Sequence, residues 1–179
     1  MNTIDQFSFL QKKVIIRVDF NVPMNNGRVT DNSRIVAASP TIKKIISDGG
    51  SCILMSHLGR PKGIDPRFSM SNITKEVEFV LGLEILLSED VVGPDAKSKS
   101  KELKPGEILL LENLRFHREE VEGDVVFAEE LSKLADFYIN DAFGTAHRAH
   151  ASTTIIAQFF EHKFFGKLIE NPPTPGITG

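Results

Sequence analysis

Short apolar runs alternate with longer amphipathic stretches along most of this chain. The runs are rich in valine, isoleucine and leucine, and glycine, proline or asparagine lies close to most of their ends. Runs of this length and composition are typical of buried strands. They predict five strands, at residues 13–20, 51–56, 84–87, 107–111 and 137–139.

The stretches between these runs predict helices. Asp31-Asn32-Ser33 offers a cap for a helix that continues to about Ser47 and is kinked or restarted at Pro40. Two further helices are predicted at 71–81 and 125–134, and a short solvated helix within 88–104. Strands separated by helices indicate βαβ units. The predicted fold class is α/β, with a doubly wound, mainly parallel sheet between two layers of helices.

Composition narrows the function classes. The net charge of −3 provides no general basic surface, so we expect no nucleic-acid partner. No apolar run approaches the ~20 residues that span a membrane, and no signal peptide is recognised, so we expect no membrane partner. The single cysteine, Cys52, lies in an apolar run and is expected to be a core residue. A lone cysteine fits a reducing, cytoplasmic compartment.

Basic side chains recur where the predicted strands end. Parallel strands bring their carboxyl ends to one edge of a sheet, so we expect these residues to form one anion site. Arginine offers a planar fork that matches phosphate or carboxylate, and histidine adds a donor whose charge varies near neutrality. The residues at strand ends or at a helix start are Arg17, Arg34, Arg60, Arg115 and Arg148, with His57 and His147.

Asp19 and Asn21 add a different chemistry to the same edge. An acid in a positive pocket suits either a ligand hydroxyl or a structural ion pair with Arg17 or another arginine, and both interpretations stay open. No phosphate-loop motif, zinc-type cluster or nucleophile elbow is present. The pattern predicts a site that binds a small hydroxylated polyanion without its own metal or nucleotide.

Four motifs together resemble the phosphoglycerate kinase family, in its N-terminal, sugar-phosphate-binding domain. The resemblance covers about Val14 to Phe160, and the motifs occur in the family's order. They are Arg17-Val18-Asp19-Phe20-Asn21-Val22-Pro23, Met55-Ser56-His57-Leu58-Gly59-Arg60-Pro61, Leu111-Glu112-Asn113-Leu114-Arg115-Phe116 and Asn140-Asp141-Ala142-Phe143-Gly144-Thr145-Ala146-His147-Arg148-Ala149-His150.

The resemblance implies a phosphotransferase of glycolysis that transfers the acyl phosphate of 1,3-bisphosphoglycerate to Mg-ADP. It implies that Arg34 is catalytic because it meets the transferring group. The substrate-binding residues that it implies are Asp19, Phe20, Asn21, Arg34, His57, Leu58, Gly59, Arg60, Arg115, His147 and Arg148.

The same resemblance leads us to expect a domain at 1–160, followed at 161–179 by a remnant of an interdomain helix and a Pro/Gly-rich tail. We expect the nucleotide domain of the family to be absent from this chain. We therefore expect the chain to bind 3-phosphoglycerate but to be inactive alone, with Mg-ATP or Mg-ADP bound only by the full-length enzyme. The alternative is a non-enzymatic anion-binding or interaction domain. We expect a monomer, with self-association through Phe159-Phe160 and Phe164-Phe165 as a further hypothesis.

Overall fold

A seven-stranded parallel sheet organises the chain, whose computed structural model describes residues 2–142 and 149–167. The spatial order of its strands is β1-β9-β8-β2-β5-β7-β6. Their bounds are β1 Asn2–Thr3, β2 Lys13–Val18, β5 Ser51–Met55, β6 Ile85–Leu87, β7 Ile108–Leu110, β8 Phe137–Asp141 and β9 Lys163–Phe165. The two other strands, β3 Met24–Asn25 and β4 Arg28–Val29, form a separate antiparallel hairpin whose turn residue Gly27 has a φ of +73°.

Helices cover both faces of the sheet, which confirms the predicted α/β/α layers. They are α1 Ser33–Ser47, α2 Thr74–Leu81, α3 Pro94–Glu102, α4 Glu119–Glu122 and α5 Val125–Ser132. Side chains alternate across a strand, so Val14 and Ile16 of β2 pack with α1 and α2, whereas Ile15 packs on the other face with α3 and α5. The sheet is therefore buried on both sides, as parallel sheets usually are.

Helix α1 runs through Pro40 as one helix, so no restart occurs there. Its predicted cap is only partly correct. Asn32 is the N-cap residue but makes no side-chain capping bond, while the Asp31 Oδ1 accepts from the Ser33 N–H at 2.8 Å. Cys52 is buried as predicted, and burial raises the pKa of its thiol.

The edge beyond β8 departs from prediction. Residues 163–165 form β9, paired with β8 on one side and with β1 on the other. The expected domain boundary at residue 160 is therefore too early, because the sheet continues beyond it. β9 is too short to show a period, and its pairing with β1 joins residues about 160 positions apart in the chain.

The aromatic residues near this edge belong to the core. Phe164 is 1% exposed and lies 5.1 Å from the Phe7 ring and 5.3 Å from the Phe9 ring, between centroids. Phe160 is also buried, and it stacks on Tyr138. Phe165 is exposed and Phe159 is half-buried, so two of the four aromatic side chains considered for self-association belong to the core.

Candidate functional site

The loops that follow β2, β5 and β7 meet at the carboxyl edge of the sheet, as the order of these neighbouring strands requires. The Phe20 N–H donates to Ser56 Oγ at 2.9 Å, and the Leu114 N–H donates to the Ser56 carbonyl at 3.1 Å. The loop after β5 is thus attached to both neighbours through one serine. The predicted convergence of these three motifs is what the structure shows.

Asn113 joins the second and third of these loops. Its side chain is fully buried, and its Nδ2 donates to the carbonyls of Leu58 at 2.7 Å and Phe68 at 2.9 Å. Its Oδ1 accepts from the Leu58 N–H at 3.2 Å and the Arg115 N–H at 3.0 Å. One amide therefore sets the backbone that carries both Arg60 and Arg115.

Gly59 is required where the first two loops touch. Its N–H donates to Asn21 Oδ1 at 2.8 Å, and its φ of +63° is a conformation that side chains disfavour. A Cβ at this position would lie 2.5 Å from the Phe68 ring. Glycine thus permits both the turn and the close approach that fixes Asn21 against the second loop.

Asp19 pairs with Arg34, which is one of the two interpretations of this acid that the sequence left open. The Asp19 Oδ1 accepts from Arg34 Nη1 at 3.3 Å and from the Asn21 N–H at 3.0 Å. The same Nη1 donates to the Asn21 carbonyl at 2.6 Å. The Arg34 side chain is 50% exposed, so its other N–H groups remain donors for an anion. A cavity of about 420 Å³ opens beside Arg34 and Asn21.

Arg17 is not available to a ligand, contrary to its assignment to the anion-binding group. It is 0% exposed, because its position in β2 directs it to the apolar face that also holds Ile15 and Met55. Its Nε donates to Ser152 Oγ at 2.8 Å, its Nη1 to the Val18 carbonyl, and its Nη2 to His57 Nδ1 at 2.9 Å.

Glu120 supplies the buried counter-charge that sequence inspection missed. Glu120 belongs to the acidic stretch 119–124, yet it is 0% exposed and its Oε2 lies 4.0 Å from Arg17 Nε. Its Oε1 accepts from the Ser152 N–H at 2.8 Å, and its Oε2 accepts from the Ser152 hydroxyl. Buried charges are stable in proteins when they are paired and hydrogen-bonded in this way.

His57 is neutral near pH 7 and does not titrate there, which corrects the expectation of a charge that varies near neutrality. Burial, followed by the positive charges of Arg17 and Arg115, lowers the pKa of His57 from 6.5 to about 2. The ring therefore offers one N–H donor, and a positive charge on it is not part of the site.

The other site predictions divide into three groups. Phe20 and Leu58 are buried core residues, so they hold the loops in place and their side chains do not line a ligand surface. Arg60 is exposed and Arg115 is half-buried beside the loop junction. His147 and Arg148 lie outside the described residues.

The described residues show neither a metal-binding cluster nor a membrane-spanning helix. Within 2–142 and 149–167, no group of three or more histidine, cysteine, aspartate or glutamate residues could hold a metal ion. In the same ranges, no helix is long and apolar enough to cross a membrane. The described edge is thus a cationic site with one ion-paired acid, and it suits a small anion that also carries a hydroxyl.

A family model for phosphoglycerate kinase matches residues 4–172. The chain belongs to the phosphoglycerate kinase family. Curated phosphoglycerate kinases from Porphyromonas gingivalis and Moorella thermoacetica are 48% and 47% identical to it over 195 and 186 aligned positions. These matches cover 94% and 98% of the chain but 46% and 47% of the two relatives. The chain thus spans about half the length of the curated phosphoglycerate kinases that it matches.

Solved structures agree with the family and with the fold. Phosphoglycerate kinase from Coxiella burnetii superposes with a TM-score of 0.84 at 34% identity, over 94% of this chain and 42% of that one. Phosphoglycerate kinase from Pyrococcus horikoshii superposes with a TM-score of 0.85 at 35% identity, over 95% of this chain and 43% of that one. The alternative of a non-enzymatic domain is not favoured, since the relatives are phosphoglycerate kinases.

Proposed function

We propose that this chain forms the 3-phosphoglycerate-binding part of a phosphoglycerate kinase, with 1,3-bisphosphoglycerate as its other ligand. The observation that carries the proposal is the ion pair of Asp19 and Arg34 beside Asn21, at the junction of three loops. Arg34 is pre-oriented by two acceptors and keeps N–H groups for an anion. The Asp19 carboxylate and the Asn21 amide are suitable partners for the glycerate hydroxyl and carboxyl end.

The proposed mechanism assigns one task to each group. Arg60 and Arg115 hold the phosphate through charge-assisted hydrogen bonds, which are stronger than neutral ones. Arg34 stabilises the negative charge that develops on the transferring phosphoryl group. We propose that His147 and Arg148 complete the cationic surface.

Mg-ADP and Mg-ATP are assigned to a nucleotide site outside this chain. The proposal rests on the sequence, which holds no phosphate-loop motif. Transfer needs the nucleotide opposite the bound acyl phosphate, so we expect the chain alone to bind substrate without turning it over. We also propose a cytoplasmic monomer, because Phe160 and Phe164 of the aromatic cluster considered for association are buried; light scattering over a range of concentrations tests the monomer.

Titration calorimetry of this chain with 3-phosphoglycerate and, separately, with Mg-ADP tests the assignment. We expect heat from 3-phosphoglycerate and weaker binding of inorganic phosphate, which lacks the hydroxyl and carboxyl groups. Arg34→Ala should weaken 3-phosphoglycerate binding about tenfold, since one hydrogen bond to a charged group contributes about 1.5 kcal/mol or more. Asp19→Ala should reduce the preference for 3-phosphoglycerate over phosphate.

The matched control is Arg67→Ala, which removes an exposed arginine that pairs with Asp65 in the loop following β5. It should leave the affinity unchanged. Tighter binding of Mg-ADP than of 3-phosphoglycerate contradicts the proposal, and so does an equal loss from Arg67→Ala and Arg34→Ala. In an active full-length enzyme, Arg34→Ala should lower kcat more than it raises KM.

A further inference from the structure

A chain of buried polar groups connects helix α4 to the histidine of the second motif. It begins at Glu120, passes through Ser152 and Arg17, and ends at His57 Nδ1. Glu120, Ser152 and Arg17 are each fully buried, and His57 is 5% exposed. These four residues come from four separate parts of the chain, so the connection exists only in the folded protein.

The direction of each hydrogen bond follows from the chemistry of its partners. The guanidinium of Arg17 has donors only and stays protonated in proteins, so His57 Nδ1 must accept with a lone pair. Ser152 has one hydroxyl proton, which it donates to the Glu120 carboxylate while its oxygen accepts from Arg17 Nε. No member can reverse its role without losing a bond. The remaining nitrogen of the ring, Nε2, therefore carries the proton.

We propose that Glu120, Ser152 and Arg17 are positioning residues that fix His57 as its neutral Nε2–H tautomer. The inference concerns the 3-phosphoglycerate site, and its functional meaning rests on the function proposed above. If 3-phosphoglycerate binds as proposed, the Nε2–H of His57 provides the site with one oriented, neutral donor at any cellular pH. Arg17 then acts through His57, and its charge is balanced by Glu120 rather than by a ligand.

The charged surroundings act in the same direction. The groups that face His57 are Arg17 from β2, Arg115 from the loop after β7, His150 from the segment that follows β8, and Arg34 from α1. All four oppose a second proton on the ring, and so does burial. A neutral ring is consequently favoured by its neighbours as well as by the acceptor role of Nδ1.

Nitrogen-15 NMR of the histidine rings in the ligand-free chain tests the inference. We expect the His57 ring to show the neutral Nε2–H pattern, with no change from pH 8 to pH 5. The exposed His162 ring is the internal control, since it shares the sample and lies at the other edge. A proton on Nδ1, or titration of His57 within that range, overturns the inference.

A paired substitution separates the tautomer from the fold. Arg17→Met with Glu120→Gln removes both buried charges together, so that no unpaired charge remains to unfold the protein. We expect His57 in this variant to populate both neutral tautomers, because Nδ1 no longer faces an obligatory donor, while burial still keeps the ring neutral. An unchanged ring in the folded variant contradicts the role of Arg17. If the variant does not fold, the wild-type measurement still decides.

The outcomes also distinguish this inference from the proposed function. Binding of 3-phosphoglycerate together with a protonated His57 Nδ1 refutes the inference and leaves the function standing. The expected tautomer without 3-phosphoglycerate binding refutes the function and leaves the inference standing. In the paired variant we expect up to about tenfold weaker 3-phosphoglycerate binding, because a ring protonated on Nδ1 no longer offers the Nε2–H donor.

Discussion

Replacing Asn113 by aspartate removes the Nδ2 donor that holds two loops together and leaves the size of the side chain almost unchanged. The amide Nδ2 becomes a carboxylate oxygen facing the carbonyls of Leu58 and Phe68, which now lie 2.7 and 2.9 Å from it. Both carbonyls lose their donor, and the new oxygen repels them. The acceptor Oδ1 is retained, so the N–H groups of Leu58 and Arg115 keep their partner.

The expected cost follows from these two lost bonds. A buried polar group left without its partner costs about 1–3 kcal/mol, so two such groups cost about 4 kcal/mol together. A domain of this size loses roughly 2–4 °C in Tm for each kcal/mol. The Tm of Asn113→Asp should therefore fall by roughly 8–16 °C relative to the unsubstituted chain.

Urea unfolding at pH 7 measures the loss of unfolding free energy, and thermal unfolding measures the fall in Tm. Asn72→Asp is the matched control. The Asn72 Nδ2 also donates to backbone carbonyls, those of Pro66 at 2.9 Å and Ser69 at 3.0 Å, but in a partly exposed turn. Water replaces the lost donor there, so the loss should be about 1 kcal/mol or less. Similar losses for the two variants would refute the claim that burial of Asn113 sets the cost.

Two other predictions concern the second loop. Gly59→Ala should destabilise the chain by about 2–3 kcal/mol, because a positive φ disfavours alanine and the new methyl meets the Phe68 ring; adding Phe68→Ala should recover the steric part in urea unfolding, and no recovery contradicts the predicted clash. The pKa of His57, lowered to about 2 in the fold, implies that only the unfolded chain takes up its proton below pH 6.5. The free energy of unfolding should then decrease by about 2 kcal/mol as the pH is lowered from 7 to 5. His57→Gln should lack this pH-dependent loss, whereas His162→Gln should keep it.

The layered fold could be predicted because its strands are distinct apolar runs and its helices are amphipathic stretches. The five predicted strands were each found within a few residues, and the loops after β2, β5 and β7 converge as predicted. Strand β9, Lys163–Phe165, could not be predicted, since three residues show no period and its partner β1 lies about 160 positions away in the sequence. The fifth strand was predicted to end at residue 139, yet residues 140–141 extend β8.

Arg17 shows that the residue type alone does not establish a role in ligand binding. It was grouped with the basic residues at strand ends, but it lies inside a strand whose neighbours Ile16 and Val18 are both buried. A strand buried on both faces leaves no exposed position, and that signal was present in the sequence. Nothing in the sequence identified Glu120 as its counter-charge, because the pairing depends on how helix α4 packs against the sheet edge.

Amide NMR of this chain during titration with 3-phosphoglycerate tests the central claim, that three loops form one binding site at the carboxyl edge. We predict that the largest saturable shifts fall on the amides of Asn21, Gly59 and Arg115. The amides of Lys13 and Lys101, beside a cavity of about 510 Å³ at the opposite edge, should stay unchanged. Shifts centred on that amino edge, or no shift at saturating ligand, would contradict the account.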